Sequence, residues 1–75
     1  MNLTNETIIN ADFRALNLSA TDFSGATLIC CDFSKANLTD AIFNNSTLQK
    51  CNFEGATLTN ASFEGTNISE CIGLV

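Results

Sequence analysis

The feature that most constrains this chain is a period of five residues. A large apolar residue recurs at every fifth position from 13 to 68, and Phe alternates with Leu until a final Ile. These positions are Phe13, Leu18, Phe23, Leu28, Phe33, Leu38, Phe43, Leu48, Phe53, Leu58, Phe63 and Ile68. A period of five matches neither the 3.6 residues of a helical turn nor the alternation of a strand. It therefore predicts a repeat architecture with these residues as the structural core.

A second register accompanies the first. Two positions before most of the large residues lies a small one, for example Ala26, Cys31, Ala36 and Ala41. The other three positions of each unit are mostly Asp, Asn, Ser, Thr, Gly, Glu and Lys. Because a unit of five residues cannot bury its own apolar side chain, successive units must stack on one another. The pattern predicts a solenoid with large and small residues inside and polar residues outside.

This pattern resembles the pentapeptide-repeat family, whose units read small residue, Asp or Asn, Leu or Phe, Ser or Thr, Gly. Residues 36–40 (ANLTD) and 56–60 (ATLTN) show it plainly, and the resemblance covers nearly the whole chain. It implies an all-β fold, a right-handed quadrilateral parallel β-helix with four units in each coil. At twenty residues per coil, 75 residues make just under four coils. Phe13, Phe33 and Phe53 would then form one interior column, opposite a column of Phe23, Phe43 and Phe63.

We predict one domain over residues 1–75, with different behaviour at its two ends. Glu6 falls on an inward small-residue position, where a charge is costly to bury. Residues 1–10 are therefore predicted to form an irregular first coil, and residues 11–70 the regular repeats. Residues 71–75 are predicted to be irregular because Gly73 stands where a large residue is expected, which would leave the core below Phe53 uncovered.

The C-terminal end carries apolar residues at positions that are polar elsewhere. An uncovered solenoid end exposes core and unpaired strand edges. One interpretation is a homodimer through a terminal coil, which the family resemblance favours because several members dimerise end to end. The other is a short module whose ends fray. The candidate dimer end consists of Ile72, Leu74 and Val75.

The cysteines fall into two groups. Cys31, Cys51 and Cys71 are twenty residues apart on the inward register, which predicts one interior column. Stacked side chains lie about 4.8 Å apart, beyond the roughly 3.5–4.5 Å between Cβ atoms in a disulfide. A zinc site would need a fourth ligand, and the chain has no His. We therefore predict a column of small apolar residues and no metal. Cys30 falls on an outward corner, which predicts a solvent-accessible free thiol. A free thiol is consistent with a reducing cytoplasm.

The composition offers little for catalysis. Without His, the usual Ser/His and Cys/His arrangements are excluded. Asp12 and Asp32 are predicted to stack, but on a hydrated outer face. The glycines do not cluster as a phosphate-binding loop requires. We predict no enzyme, no catalytic residue and no cofactor. No leader and no stretch of about 18 apolar residues is present, which predicts a cytoplasmic protein without a membrane partner.

Two functions remain as hypotheses. The first is a non-catalytic protein-interaction or structural module that presents a flat face to a protein partner and binds no nucleic acid directly. Its alternative is an acidic DNA mimic that regulates DNA gyrase or topoisomerase, which the resemblance brings in from quinolone-resistance members of the family. The net charge of −5 is distributed over all four faces, so this alternative depends on the resemblance. The candidate partner face is formed by Thr7, Ile9, Thr27, Ile29 and Thr47.

Overall fold

A computed structural model describes residues 1–74, which form a single stack of parallel strands. Leu28 pairs with Leu48 in the strand register, so neighbouring strands are twenty residues apart. The strands follow the chain order within one sheet. No helix long and apolar enough to cross a membrane occurs in the described part of the chain. The strands are β1 (Thr7–Ile9), β2 (Thr27–Ile29), β3 (Thr47–Gln49) and β4 (Asn67–Ser69).

The other three sides of the stack are joined by single parallel bridges between residues twenty apart. Examples are Asn2 with Asp22, Asp12 with Asp32, and Asn17 with Asn37. The chain therefore advances five residues per side and four sides per coil. Three faces of the stack contain a five-residue side from each of four coils, and the fourth face contains sides from three coils. The predicted quadrilateral β-helix of just under four coils is therefore confirmed. Its extents of 23 × 22 × 21 Å make it nearly as tall as wide.

The corners place every fifth residue in the left-handed region. From residue 5 to residue 70 the φ angle at these positions lies between 55° at Cys30 and 72° at Gly55. At three corners of each coil, the next N–H donates to the carbonyl of the large residue, as Ala36 does to Phe33 at 3.0 Å. A positive φ at the third residue is the geometry of a type II turn. Eleven of the corner residues are not glycine, so the strain must be offset by stacking.

The core consists of two aromatic columns that meet along the axis. Phe33 stacks on Phe13 at 4.9 Å and on Phe53 at 4.8 Å between ring centroids. Phe23 and Phe43 form the opposite column at 4.7 Å, and the rings of the two columns meet edge to face at 5.8–6.3 Å. The predicted columns are confirmed. The completely buried large residues are Phe23, Phe33, Phe43, Phe53, Leu28, Leu38 and Leu48, with Leu18 at 3% exposure.

The prediction that residues 1–10 are irregular was wrong. Thr7–Ile9 forms β1 and pairs with β2, and Asn2 bridges Asp22. The prediction assumed that the inward register buries Glu6. Its side chain is exposed, because its column has no coil above it and the carboxylate meets water.

The last coil is less buried than the sequence predicted. Ile68, predicted to lie in the core, is 46% exposed because no coil lies below it. For the same reason, Leu58 and Phe63 are only partly buried, and Phe13 is partly buried because no coil lies above it. The core below Phe53 is not uncovered, since Phe53 is completely buried. The last turn of the chain therefore closes part of this end.

Gly73 explains how the chain closes that part of the end. Its φ is +85°, and a Cβ atom added there would lie 2.5 Å from the backbone of Phe53 and Glu54. The backbone thus passes directly against the coil above, where no side chain fits. Leu74 then packs against the core.

Candidate functional site

The cysteine column lies at the one corner of each coil that lacks the turn hydrogen bond. At the other three corners, the carbonyl of the large residue accepts the N–H three residues later. After β1, β2 and β3 a thiol of the next coil takes the place of that donor. The pairs are Cys31 Sγ to the Ile8 carbonyl at 3.4 Å, Cys51 Sγ to the Leu28 carbonyl at 3.3 Å and Cys71 Sγ to the Leu48 carbonyl at 3.5 Å.

One of these thiols also accepts a hydrogen bond from the backbone. The Cys51 N–H donates to Cys71 Sγ at 3.4 Å. The neighbouring Cys31 thiol and burial raise the pKa of the Cys51 thiol, so it stays protonated and able to donate. The prediction of a small-residue column was correct about the packing of Cys31 and Cys51 but missed this hydrogen-bonding role. The sequence does not show which corner lacks its turn bond.

The reactivity of the thiols should follow their exposure. Cys30 is exposed, Cys71 is partly buried, and Cys31 and Cys51 are buried. We expect iodoacetamide to modify Cys30 first and Cys71 more slowly, and to reach Cys31 and Cys51 only after unfolding. Peptide mass spectrometry after timed labelling measures this order. Cys51 reacting at the rate of Cys30 under native conditions would contradict the coil assignment.

A charged corner lies on the face of Phe13, Phe33 and Phe53. Arg14 Nε and Nη2 donate to the two carboxylate oxygens of Asp12 at 2.8 and 2.9 Å. The Arg14 N–H donates to the same carboxylate at 3.0 Å. With Ala15, Ser34 and Lys35 the pair lines an open depression of about 440 Å³. The two charged side chains are about 60% exposed, so the depression is a hydrated surface feature.

The Arg14 guanidinium, aided by the Arg14 N–H, lowers the pKa of Asp12 from 3.8 to about 2. A pKa lowered by folding stabilises the folded state above the unfolded value near 3.8, and this contribution disappears as the pH falls towards 2. We expect the Asp12 carboxyl carbon to titrate near pH 2 by NMR. In Arg14→Gln the midpoint should rise towards 3.8. An unchanged midpoint would show that Arg14 does not hold the carboxylate in solution.

The outward surface of β1–β4, here named the strand face, brings the predicted partner-face residues together. Thr7 pairs with Thr27 and Thr27 with Thr47, while Ile9 pairs with Ile29. Ile9 is 58% exposed and Ile29 is half-buried. None of the eight outward side chains is charged. They are Thr7, Thr27, Thr47 and Asn67 in one column, and Ile9, Ile29, Gln49 and Ser69 in the other.

The predicted dimer residues do not form one patch. Ile72 bridges Asn52 and is 52% exposed on the side of the helix. Leu74 lies at the end instead, packed against the core. Val75 lies outside the described residues. The homodimer stays a prediction.

The family model for pentapeptide repeats matches residues 9–45 and 43–72, with eight copies. HetL, a pentapeptide repeat protein involved in heterocyst differentiation regulation from the cyanobacterium Nostoc sp. strain PCC 7120, has a TM-score of 0.59 and 28% identity over 87% of this chain and 33% of its own. A pentapeptide repeat protein from the Arabidopsis thaliana thylakoid lumen has a TM-score of 0.53 and 30% identity over 93% of this chain and 59% of its own.

Rfr23 from the cyanobacterium Cyanothece 51142, also a pentapeptide repeat protein, has a TM-score of 0.51 but only 23% identity, which shows the fold alone. It is covered over 63% of its length. The chain thus spans less than two thirds of each of these three proteins. A search of curated proteins found no match.

Proposed function

Because this chain belongs to the pentapeptide-repeat family, we propose that it is a non-catalytic interaction module that presents the strand face to a protein partner. The observation that carries this proposal is the continuity of the strand face. It spans four paired strands, whereas the described residues of the other faces are joined by single bridges. Parallel sheets are usually covered on both sides, and the outer side of this one faces solvent.

The other faces offer less for an uncharged partner. The two Phe-centred faces carry carboxylates, for example Asp22 and Asp32. The face opposite the strand face has polar outward side chains, such as Ser19 and Thr39, with the carboxylate of Asp40 at its corner. Only the strand face combines an uncharged surface with exposed apolar area, chiefly that of Ile9. Contact there would bury apolar surface without desolvating a charge.

The size of the molecule limits the strength of such an interaction. The total accessible area is 4125 Å², so one side of a nearly cubic molecule offers about a sixth of it. A standard interface buries about 800 Å² of each partner. Binding through the strand face alone is therefore weak or transient, unless the partner extends around a corner.

The proposal is tested by comparing charge substitutions on two faces. Ile9→Lys places a cation on the strand face, and Ser19→Lys places one at an exposed position of the same coil on the opposite face. We expect some protein to be retained equally by the immobilised parent and by Ser19→Lys. The amount of that protein retained by Ile9→Lys should be at least about tenfold lower. Quantitative mass spectrometry of captured proteins measures this difference.

Salt separates this function from the alternative of an acidic DNA mimic. Retention through the strand face should change little with ionic strength, because its eight outward side chains carry no charge. Equal retention by both lysine variants would contradict the strand-face proposal. Retention that falls steeply with salt would favour the acidic mimic.

A further inference from the structure

Two buried thiols lie one above the other in the middle of the stack. Cys31 and Cys51 occupy the same inward column in adjacent coils, and each is 1% exposed. Each Sγ lies 3.5–3.6 Å from the carbonyl two residues earlier in its own coil, so the two side chains have the same orientation. The sulfur atoms therefore repeat at the spacing of the coils. Between the rings of Phe33 and Phe53, two residues further along the same coils, that spacing is 4.8 Å.

This spacing is too long for a disulfide but suits a metal ion that bridges the two thiolates. The sulfur atoms of a disulfide are only about 2.05 Å apart. An ion midway between the two Sγ atoms would lie about 2.4 Å from each, close to the roughly 2.3 Å of a metal–thiolate bond. Its two bonds would lie in a line, because the ion lies between stacked thiols.

The column offers two ligands to each ion and no more. Within residues 1–74, no group of three or more His, Cys, Asp or Glu side chains could hold a metal ion. The prediction of no metal rested on the four ligands that zinc requires. An ion that takes two ligands in a line does not have that requirement. Soft ions with a filled d shell, such as mercuric, silver and cuprous ions, bind thiolates in this way.

Charge selects among these ions. Each thiol loses its proton when it binds, so two thiolates and a divalent ion form a neutral unit. A monovalent ion would leave one negative charge in the apolar core to which both thiols belong, and such a charge is costly to bury. Lys50 precedes Cys51 in the chain, but its side chain is exposed at a corner and stays hydrated. The divalent mercuric ion is therefore favoured.

Binding replaces two thiol hydrogen bonds. In the metal-free protein, Cys31 Sγ donates to the Ile8 carbonyl at 3.4 Å and Cys51 Sγ donates to the Leu28 carbonyl at 3.3 Å. Both bonds are lost when the thiols ionise. The net contribution of a neutral hydrogen bond to stability is small, whereas metal–thiolate bonds are strong enough to determine whether a small domain folds. The exchange is therefore favourable.

We propose that Cys31 and Cys51 form a binding site for a mercuric ion, held in a line between the two sulfur atoms. Two thiols and one Hg²⁺ give a sulfur–mercury–sulfur unit and two released protons, with no change of oxidation state. The site lies between coils inside the stack, away from both ends of the chain. It is also separate from the outward side chains of the strand face, so it does not depend on the protein-binding function.

The test compares two variants that each keep two cysteines. The adjacent-pair variant, Cys30→Ser with Cys71→Ala, keeps Cys31 and Cys51. The separated-pair variant, Cys30→Ser with Cys51→Ala, keeps Cys31 and Cys71. These two lie two coils apart, about 9.6 Å, which one linear ion cannot span. Both variants offer the same number of thiols when unfolded, so a difference between them reports on the folded column.

Because the thiols are buried, each variant is unfolded in urea with equimolar Hg²⁺ and refolded by dilution. We expect the adjacent-pair variant to regain its circular dichroism spectrum and to melt at least about 5 °C above its metal-free form, since the ion links two coils as a disulfide would. The separated-pair variant should melt at least about 5 °C below its metal-free form, since its thiols reach one ion only in the unfolded chain. Zn²⁺ should stabilise neither variant, because two thiols do not complete its four ligands.

Two further measurements identify the site in the loaded adjacent-pair variant. X-ray absorption should show two sulfur neighbours around mercury, and sedimentation should match that of the metal-free form. Metal-free melting curves establish that both variants fold. If Cys51→Ala does not fold, Cys51→Ser replaces it, because a hydroxyl can still donate to the Leu28 carbonyl.

Three results would overturn the proposal. One is an equal change of melting temperature in the two variants, and another is loss of the native spectrum when the adjacent-pair variant binds Hg²⁺. The third is mercury with three or more sulfur neighbours, or a larger species on sedimentation, because the ion would then join separate chains and not stacked coils.

Discussion

Replacing Phe33 by alanine is expected to leave the protein largely unfolded at room temperature. Phe33 is completely buried and contacts aromatic rings on four sides, stacked on Phe13 and Phe53 and edge to face with Phe23 and Phe43. Truncating a buried Phe costs about 3–5 kcal/mol. In a 75-residue chain with a small core, a loss of this size is comparable with the whole stability. Urea or thermal unfolding followed by circular dichroism measures it.

Two controls separate the lost stacking from a general effect of substitution. Phe33→Leu keeps most of the apolar volume and should cost less than about 1.5 kcal/mol. Phe13→Ala removes a ring that is only partly buried at the top of the same column, so it should destabilise less than Phe33→Ala. If Phe33→Ala melts within a few degrees of the parent, the stacked column does not support the fold.

The interior could be predicted from the sequence because its period specifies a column for each large residue. Phe33 lies twenty residues from Phe13 and from Phe53, and four sides of five residues are the arrangement that stacks them. Every coil repeats this requirement, so one irregular unit does not alter the others. The fold therefore follows from a pattern that no single residue carries.

The ends could not be predicted in the same way, because a column does not say how many coils lie above and below a residue. Glu6 and Ile68 both lie on inward columns, and both are exposed because they belong to the first and last coils. Gly73 closes part of the end through its backbone, which the side-chain pattern does not describe. The role of the cysteines was missed because it depends on the turn bond absent beside the Leu28 carbonyl.

The strand face could be predicted as a surface but not as a site with a known partner. Its Thr and Ile columns follow from the twenty-residue register, and the structure places them as predicted. However, β-branched residues in register also stabilise a sheet whatever it binds. The residues that specify the fold and those that would recognise a partner therefore overlap here, for example at Thr27 and Ile29.

The contrast between Glu6 and the residue below it leads to the second large effect, that of Ala26→Glu. Ala26 occupies the same inward column one coil further down and is 1% exposed. The native glutamate at position 6 meets water, whereas a glutamate at position 26 would be enclosed by the coils above and below. An unpaired buried charge costs about 3–5 kcal/mol, and the larger side chain adds overpacking. We expect Ala26→Glu to be unfolded at pH 7, and Glu6→Ala to melt close to the parent.

The pH dependence of this variant tests whether the charge is responsible. Burial raises the pKa of a carboxyl group, so the penalty at position 26 should decrease as the pH falls and the group becomes protonated. The loss of unfolding free energy in Ala26→Glu, measured against the parent at the same pH, should therefore be smaller at pH 4 than at pH 7. Ala26→Gln has nearly the same volume without the charge, so its cost should not depend on pH. If Ala26→Glu and Ala26→Gln are equally destabilised at pH 7, overpacking alone explains why this column excludes large residues. Glu6 would then be tolerated because the end of the column has space for its side chain, and not because water solvates its charge.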